Sequence, residues 1–362
     1  MSKTIFVLHE RSTKEHFIAL ETYAELNDVK VHYREFLIAR HFIKSVVRLD
    51  FMLFVQQIKN VLFFISLILS KNKKIVIGIA PLDGHLPLLK FFIKRHHVFY
   101  FTSWGDWSGK GFPKNNRPNS KSLRNLWKNF LEHDIEAIFC VTKSALDNLK
   151  ENYHINVPSV VVGHAIDNSI QLEEIHDTNN ETKNVQLIYV GRLIETKGIR
   201  ELIELMQQLD SKKYGLKIVG DGPLKKEVQT ASEKYANIHY LGYVNDKKEL
   251  FSLYSQSDVQ LLFSKKSTIN HWEELFGMVI IEAMYCGLVT IATKHVGPKS
   301  IIENGIDGFL VDEVSMMKET IKILEESSFK NDKMKLNTKK KAESFYKNNL
   351  SKKWAQVLDV YY

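Results

Sequence analysis

Residues 185–199 read Val-Gln-Leu-Ile-Tyr-Val-Gly-Arg-Leu-Ile-Glu-Thr-Lys-Gly-Ile, a short apolar run that ends at a glycine and leads into a helix-length segment. Buried strands of parallel α/β sheets have this pattern, because each strand is followed by a turn and a crossover helix. Residues 216–224, Leu-Lys-Ile-Val-Gly-Asp-Gly-Pro-Leu, repeat the pattern one unit later. The two segments therefore predict a doubly wound α/β domain.

The same alternation of apolar runs and amphipathic stretches extends along the chain. We predict twelve strands, at residues 4–8, 29–33, 75–80, 97–102, 137–141, 159–162, 186–190, 216–219, 238–241, 259–263, 289–292 and 309–311. A polar stretch between the two series, residues 169–184, is predicted to be a linker. We expect two Rossmann-like parallel-sheet domains, residues 1–168 and 185–348, that face each other with a ligand cleft between them.

The charge is divided unevenly between these domains. Of 50 Lys and Arg and 42 Asp and Glu, residues 1–170 hold 23 basic and 15 acidic, whereas residues 171–362 hold 27 of each. Residues 51–130 have 13 basic residues and only two acidic ones. Such a field suits an anionic partner, either nucleic acid, a phospholipid surface or a phosphorylated small molecule. Two cysteines are too few for a disulfide framework and fit a reducing compartment.

The glycine loops of the second domain offer groups suited to a diphosphate. Gly191 and Gly222 allow the backbone to approach a ligand at the ends of two strands. Arg192 and Lys197 add two cations at the entrance of a helix, whose N-terminus also favours anions. A plain strand-to-helix turn with solvated cations is the alternative for this segment.

A third segment, residues 274–287, reads Glu-Leu-Phe-Gly-Met-Val-Ile-Ile-Glu-Ala-Met-Tyr-Cys-Gly. Apolar spacing predicts a helix from Phe276 onward, with Glu274 before it and Glu282 about two turns inside it. Eight helical residues rise about 12 Å, comparable to the separation of sugar and ribose in a nucleotide-sugar. The two carboxylates are therefore candidates for hydroxyl groups at its two ends, with the amides near Gly277 and Met278 facing the diphosphate. A dipole-stabilising acid at Glu274 and an ion-paired carboxylate at Glu282 are the structural alternatives.

Together the motifs VGRLIETKG, VGDGPL, LGYV, EELFGMVIIEAMYCG and ENGIDGFLVDE resemble the nucleotide-sugar domain of the family 4 retaining glycosyltransferases, which have the GT-B fold. The resemblance covers residues 185–312. It implies that Arg192 and Lys197 bind the donor diphosphate, that Glu274 holds the donor sugar and that Glu282 holds the ribose. It also implies two further groups of donor-binding positions. Tyr243 and Val244 would border the base of the nucleotide, and Phe276, Gly277, Met278 and Val279 would contact the donor at the start of the helix after Glu274.

The resemblance further implies a metal-independent transfer without a cofactor, and no Asp-x-Asp triplet occurs in the chain. The substrates would be a nucleoside-diphosphate sugar and a glycan or lipid-linked acceptor of cell-surface polysaccharide synthesis. Related enzymes return a final helix to the first, acceptor-side domain, and we expect residues 349–362 to do so. A catalytically silent nucleotide-sugar-binding or scaffold protein is the alternative.

The first domain departs from the family pattern. Residues 9–14, His-Glu-Arg-Ser-Thr-Lys, lack the usual glycine-rich loop. His85 and Asp106 are the acceptor-side candidates, with ordinary helix caps or turn residues as the equal alternative.

The longest apolar run in the stretch 51–69 is residues 61–69, which is too short to span a bilayer. We interpret it as a buried crossover helix, with an interfacial helix as the alternative. The basic residues around it favour an anionic membrane surface, where each cation contributes on the order of 1 kcal/mol. We expect no secretory leader, no nucleic-acid partner, and a cytoplasmic protein that is peripheral at the inner face of the membrane.

Overall fold

A computed structural model describes residues 3–9, 14–108, 121–170, 185–267 and 272–362. The chain divides into two units, which we call unit 1 (residues 1–165 and 347–362) and unit 2 (residues 166–346). Most of the predicted linker, residues 171–184, lies outside the described residues.

Unit 1 contains a parallel sheet of six strands with the order β2-β1-β3-β4-β5-β6. Its strands are β1 (Lys3–His9), β2 (Val29–Glu35), β3 (Lys74–Gly78), β4 (His97–Thr102), β5 (Ala137–Cys140) and β6 (Ser159–Val161). Its helices are α1 (Ile18–Leu26), α2 (Ile38–Val47), α3 (Phe51–Leu69), α4 (Leu86–Ile93), α5 (Lys121–His133), α6 (Lys143–Asn152) and, from the end of the chain, α14 (Lys347–Leu358). The chain reverses its winding between β1 and β3, which is the switch point of this sheet.

The last helix, α14, packs on unit 1. Its Trp354 is buried, and the ring centroid lies 4.1 Å from that of Phe139 in β5. Beyond the helix, Asp359 accepts a 3.0 Å hydrogen bond from the hydroxyl of Tyr23 in α1. Aromatic burial thus joins the C-terminus to the core of the first sheet.

Unit 2 contains a second parallel sheet, with the order β12-β11-β10-β7-β8-β9. Its strands are β7 (Val185–Val190), β8 (Tyr214–Val219), β9 (Ile238–Gly242), β10 (Val259–Leu262), β11 (Val289–Thr293) and β12 (Phe309–Val311). Its helices are α7 (Ile199–Gln208), α8 (Lys225–Lys234), α9 (Lys247–Ser255), α10 (Met278–Tyr285), α11 (Val296–Ile301), α12 (Met316–Glu325) and α13 (Asp332–Glu343). The sheets of the two units confirm the predicted doubly wound α/β fold with two Rossmann-like domains.

The prediction that residues 51–69 form a buried crossover helix is wrong for most of the helix. They do form one continuous helix, α3, between β2 and β3, but only 28% of its most apolar 18-residue window is buried. Gln57, Asn60 and Leu67 are fully buried, while Leu62 and Leu69 are exposed. By length and composition alone, the whole of α3 is long and apolar enough to cross a membrane. The longest apolar run in the sequence is not. The helix is apolar on both faces, and the sheet covers only one of them.

Candidate functional site

The candidate donor site of unit 2 lies at the carboxyl ends of its strands, where the loops after β7 and β8 are joined backbone to backbone. The amide of Gly191 donates to the carbonyl of Val219 at 3.0 Å, and that of Leu193 donates to Asp221 at 2.9 Å. A Cβ atom on Gly220 would lie 1.9 Å from the carbonyl oxygen of Gly191, so only glycine fits there. The glycines of VGRLIETKG and VGDGPL therefore allow two loops to lie side by side.

The predicted donor-binding glycines are placed within this pair of loops. A Cβ atom on Gly222 would lie 2.5 Å from the carbonyl oxygen of Leu193. A Cβ atom on Gly191 would lie 2.8 Å from the hydroxyl of Tyr189, which donates to the carbonyl of Arg192 at 2.9 Å. Burial is the main cause that raises the pKa of Tyr189, which keeps this phenol a neutral donor. Sequence reasoning missed Tyr189, because an aromatic residue in a strand carries no signal of a polar role.

Lys197 and Glu274, predicted from separate motifs, form an ion pair with each other. Both side chains are nearly buried, at 11% and 12% exposed. The same carboxylate oxygen, Oε2, accepts a 3.0 Å hydrogen bond from the hydroxyl of Ser264, and the Lys197 ammonium lies 5.1 Å from the ring centroid of Trp272. The cation is thus fixed by a carboxylate, with an aromatic face beside it.

Ser264 joins this ion pair to the strands behind it. Its carbonyl oxygen accepts hydrogen bonds of 2.6 Å from Thr293 at the end of β11 and 2.6 Å from the Nε2 of His295. His295 is itself buried, and it is the main cause that lowers the pKa of Glu273, the residue before the ion-paired carboxylate. Sequence reasoning missed Ser264 and His295. The available signal was their position near strand ends, since Ser264 directly follows a predicted strand and His295 lies three residues after another.

Arg192 differs from Lys197 in its environment. Its side chain is exposed, and it has no ion pair with any residue in the described part of the chain. It lies two residues after the end of β7 and five positions before Lys197, so the two predicted cations flank one loop. One is held in place and the other is left in solvent.

The helix after Glu274 begins later than predicted. Gly277 caps α10 in the left-handed region at φ 94°, and Met278 is its first residue. Glu282 therefore lies just over one turn into the helix, a rise of about 6 Å, and the expected eight helical residues between the carboxylates are wrong. The helical pattern of the apolar residues misled the prediction, because Phe276 is buried outside the helix.

The start of α10 is held against the start of α11. The amide of Gly297 donates to the carbonyl of Glu274 at 2.8 Å, and a Cβ atom on Gly297 would lie 2.4 Å from the backbone of Phe276. Helix geometry leaves the amides of Met278 and Val279 without acceptors inside the helix. These amides form the anion-favouring end of α10.

Glu282 is buried and forms a 2.5 Å ion pair with Lys247, the first residue of α9. The ion-paired alternative from the sequence is thus present, and its role as a ribose ligand stays a prediction. The sequence analysis did not predict Lys247 as a partner of Glu282, because a lysine at the start of a helix is usually a solvated surface charge. Tyr243 is exposed and Val244 is half-buried, both in the turn after β9.

Unit 1 has a pocket of about 180 Å³ at its own switch point, which sequence reasoning missed. Its wall is formed by the ends of β1, β3 and β4 and the segments that follow them: His9, His16, Gly78, Ile79, Ala80, Pro81, Phe101, Thr102, Ser103 and Trp104. The rings of His9 and His16 are 6.2 Å apart, and His16 lies 4.9 Å from the buried ring of His164. Burial lowers the pKa of His16 and holds that of His164 at about 3, so both rings are neutral near pH 7.

The predicted acceptor-side candidates do not line this pocket. His85 is an exposed residue before α4, and its Nδ1 lies 2.6 Å from Asp83. Asp106 accepts from the amide of Ser108 at 2.9 Å and from its hydroxyl at 2.6 Å. The residues thus adopt the ordinary cap and turn arrangements that the sequence left open.

The described residues contain no group of three or more His, Cys, Asp or Glu that could hold a metal ion. Residues 10–13 of the first loop lie outside the described residues, as do Lys110, Lys114 and Arg117 of the basic region. The same is true of residues 268–271, which precede Glu274.

The family model described as "Glycosyl transferases group 1" matches residues 170–341, which include every group of the candidate donor site. This segment, just under half of the chain, is similar to the group 1 glycosyl transferases.

Curated relatives match between about half and two thirds of the chain. The N-acetyl-alpha-D-glucosaminyl L-malate synthase of Bacillus anthracis is 27% identical over 263 residues, covering 67% of this chain and 63% of the relative. The capsular polysaccharide biosynthesis glycosyltransferase CapM of Staphylococcus aureus is 28% identical over 203 residues, covering 49% and 50%. The chain spans between 50% and 63% of the length of the first curated relatives it matches.

A solved structure matches nearly the whole chain. Anabaena Alr3699/HepE in complex with UDP-glucose matches with a TM-score of 0.67 at 15% identity, covering 99% of each chain. At this identity the match shows a shared fold. It supports the two-domain Rossmann-like α/β fold that the motifs implied.

Proposed function

We propose that this protein is a glycosyltransferase that moves a sugar from a nucleoside-diphosphate donor to a glycan or lipid-linked acceptor in cell-surface polysaccharide synthesis. The observation that carries the proposal is the fixed pair of Lys197 and Glu274 beside the amide end of α10. A cation, open amides and a carboxylate within one set of loops suit a diphosphate that bears a sugar.

In this mechanism the bond between the anomeric carbon and a diphosphate oxygen breaks. The anomeric carbon bonds to an acceptor hydroxyl oxygen, and the hydroxyl proton passes to the departing diphosphate. Arg192, Lys197 and the amides of Met278 and Val279 stabilise the charge that develops on the leaving group. Glu274 uses its Oε1 for a sugar hydroxyl, since its Oε2 already accepts from Lys197 and Ser264.

The donor is proposed to be a UDP-sugar, which is supported by the UDP-glucose complex of Alr3699/HepE. In this proposal Glu282 holds the ribose, and Tyr243 with Val244 borders the base. The transfer is proposed to need neither a divalent metal nor a cofactor, because the cations and helix amides neutralise the diphosphate. Full activity in excess EDTA is the expected result.

Retention of the anomeric configuration is proposed from the family 4 resemblance. The acceptor is proposed to use the pocket of unit 1, where neutral His16 can accept a hydrogen bond and Trp104 offers an aromatic face for a sugar. NMR of the product, which reports the anomeric coupling constant, tests the first proposal. His16→Phe, which fills the pocket without a polar group, tests the second, with a raised KM for acceptor as the expected result.

The protein is further proposed to be cytoplasmic and peripheral at the inner face of the membrane. The exposed cations of unit 1, such as Lys59, Lys71 and Lys94, support this. They would be drawn to an anionic leaflet.

A thermal-shift screen over UDP-, GDP-, ADP- and dTDP-sugars, followed by release of labelled nucleoside diphosphate, tests the central proposal. Arg192→Ala removes an exposed cation, so it should leave folding intact and lower turnover at least tenfold. Lys322→Ala, an exposed cation on α12, is the matched control and should turn over as the parent does. If the parent binds a donor but neither transfers nor hydrolyses it, the silent binding or scaffold protein is the correct function.

A further inference from the structure

The exposed apolar side chains of the described residues are concentrated on three helices of unit 1. Fifteen of the twenty-two large hydrophobic residues that are exposed lie between Phe42 and Phe91. Scattered single exposures are ordinary in soluble proteins, whereas a contiguous patch marks an interaction surface.

On α3 these side chains form one line, which we call the apolar stripe. Its members recur at alternating intervals of four and three residues, and they are Phe51, Val55, Ile58, Leu62, Ile65 and Leu69. This spacing keeps them on one face of the helix over a length of about 27 Å. Val55 is half-buried and the other five are exposed. The sole charged residue of α3 is Lys59, at the edge of the stripe.

The opposite face of α3 is fixed to the domain by a buried polar cluster. Gln57 and Asn60 are fully buried; Gln57 donates to the carboxylate of Glu35 at 3.3 Å, and Asn60 accepts from the Glu35 amide at 3.4 Å. The same carboxylate lies 2.9 Å from the Nδ1 of His41 in α2. Both helices are thus tied to the end of β2, and the apolar stripe is held outward.

Helix α2 continues the surface and adds cations to its border. Phe42, Ile43, Val46 and Val47 are exposed. Arg40, Lys44 and Arg48 recur every four residues and form a cationic row along one flank of these side chains. Across residues 36–95 there are ten Lys and Arg and only two acidic residues.

We propose that the apolar stripe and the exposed side chains of α2 insert into the interface of an anionic phospholipid bilayer, with the cationic row at the lipid phosphates. An apolar face bordered by cations is what such an interface binds. A second copy of the chain fits poorly, because a two-fold contact would bring two basic surfaces together. The proposal rests on the proposed peripheral association and names the surface that makes it.

Flotation with vesicles of phosphatidylcholine and phosphatidylglycerol tests this surface without donor or acceptor. The variant Ile58→Asp/Leu62→Asp/Ile65→Asp changes three exposed positions of the stripe. Its matched control, Leu26→Asp/Val314→Asp/Val360→Asp, makes the same change at three exposed apolar positions outside the patch. Thermal unfolding of both should follow the parent, since no buried group is altered.

We expect the stripe variant to lose at least about tenfold in vesicle partitioning relative to its control, at both low and high salt. Arg40→Gln/Lys44→Gln/Arg48→Gln should weaken binding at low salt, by about fivefold for each cation. Alkaline carbonate should release the parent from the vesicles, because an interfacial helix does not span the bilayer.

Equal partitioning of the stripe variant and its control would overturn the proposal, as would retention of the parent after alkaline extraction. A parent dimer that the stripe variant dissociates, with vesicle binding unchanged, would identify a second copy as the occupant. If the parent does not bind vesicles at all, both the proposed peripheral association and the proposed insertion of the apolar stripe are refuted. None of these results bears on the proposed glycosyltransferase activity, which is tested separately by donor turnover.

Discussion

Replacement of Lys197 by methionine tests how strongly the candidate donor site depends on its ion pair. The Lys197 and Glu274 side chains are 11% and 12% exposed, and Ser264 donates to the same carboxylate oxygen. Removing one partner of a nearly buried pair leaves the other charge without its counter-charge, which costs on the order of 3 kcal/mol. At about 2–4 °C per kcal/mol for a domain of this size, we expect the Tm to fall by roughly 6–12 °C.

The double variant Lys197→Met/Glu274→Leu removes both charges and should recover most of this loss. The remaining cost is that of the Ser264 hydroxyl, which loses its acceptor, at about 1 kcal/mol. Stability and activity then separate, because the double variant folds but lacks the cation proposed for the diphosphate and the carboxylate proposed for the sugar. We expect no donor-induced thermal shift and no measurable turnover from it.

An exposed pair in unit 2 provides the control. Lys294 and Asp312 are 2.7 Å apart and their side chains are 36% and 58% exposed. Lys294→Met should therefore change stability by no more than about 0.5 kcal/mol. The reasoning is refuted if Lys197→Met costs no more than this control, or if the double variant is as unstable as the sum of its single variants.

Three further predictions concern other parts of the molecule. Gly220→Ala should destabilise unit 2 by on the order of 3 kcal/mol in urea unfolding and raise the Kd for donor, because the new Cβ would lie 1.9 Å from the carbonyl oxygen of Gly191. Lys247→Met should lower stability by about 1–2 kcal/mol in the same assay, since buried Glu282 loses its 2.5 Å partner; an unchanged midpoint would contradict this. Burial holds the pKa of His164 at about 3, below its ordinary 6.5, so the unfolded chain binds the proton more readily. Stability should therefore fall as the pH drops below 6.5, by up to about 1.4 kcal/mol per pH unit, and His164→Gln should flatten the dependence of Tm on pH between 7 and 5.

Much of the fold follows from local patterns. Short apolar runs predicted the strands, because a strand buried on both faces needs a continuous apolar run. The glycine loops of the candidate donor site followed from the same pattern, since Gly191 lies directly after β7 and Gly222 lies three residues after the end of β8. The start of α10 did not follow, because the buried side chain of Phe276 continues the helical spacing before the helix begins.

The proposed acceptor side was less accessible to sequence reasoning. His85 and Asp106 drew attention as polar residues in loops after strands, yet each satisfies a local turn. The pocket instead brings together His9, at the end of β1, and His16, seven positions later. Residues from three strands form its wall, and no single stretch of sequence contains that information.

The sequence by itself determined the alternation of strands and helices, the glycine loops and the basic character of unit 1, because each is a property of neighbouring residues. Tertiary structure decided the partners. Lys197 and Glu274 are 77 positions apart and meet because β7 pairs with β10 at the switch point of the sheet. Tertiary structure also decided which face of α3 is exposed. Apolar side chains lie on both sides of that helix and the polar Gln57 and Asn60 lie on the buried side, so its periodicity cannot tell the face that packs on the sheet from the face that remains open.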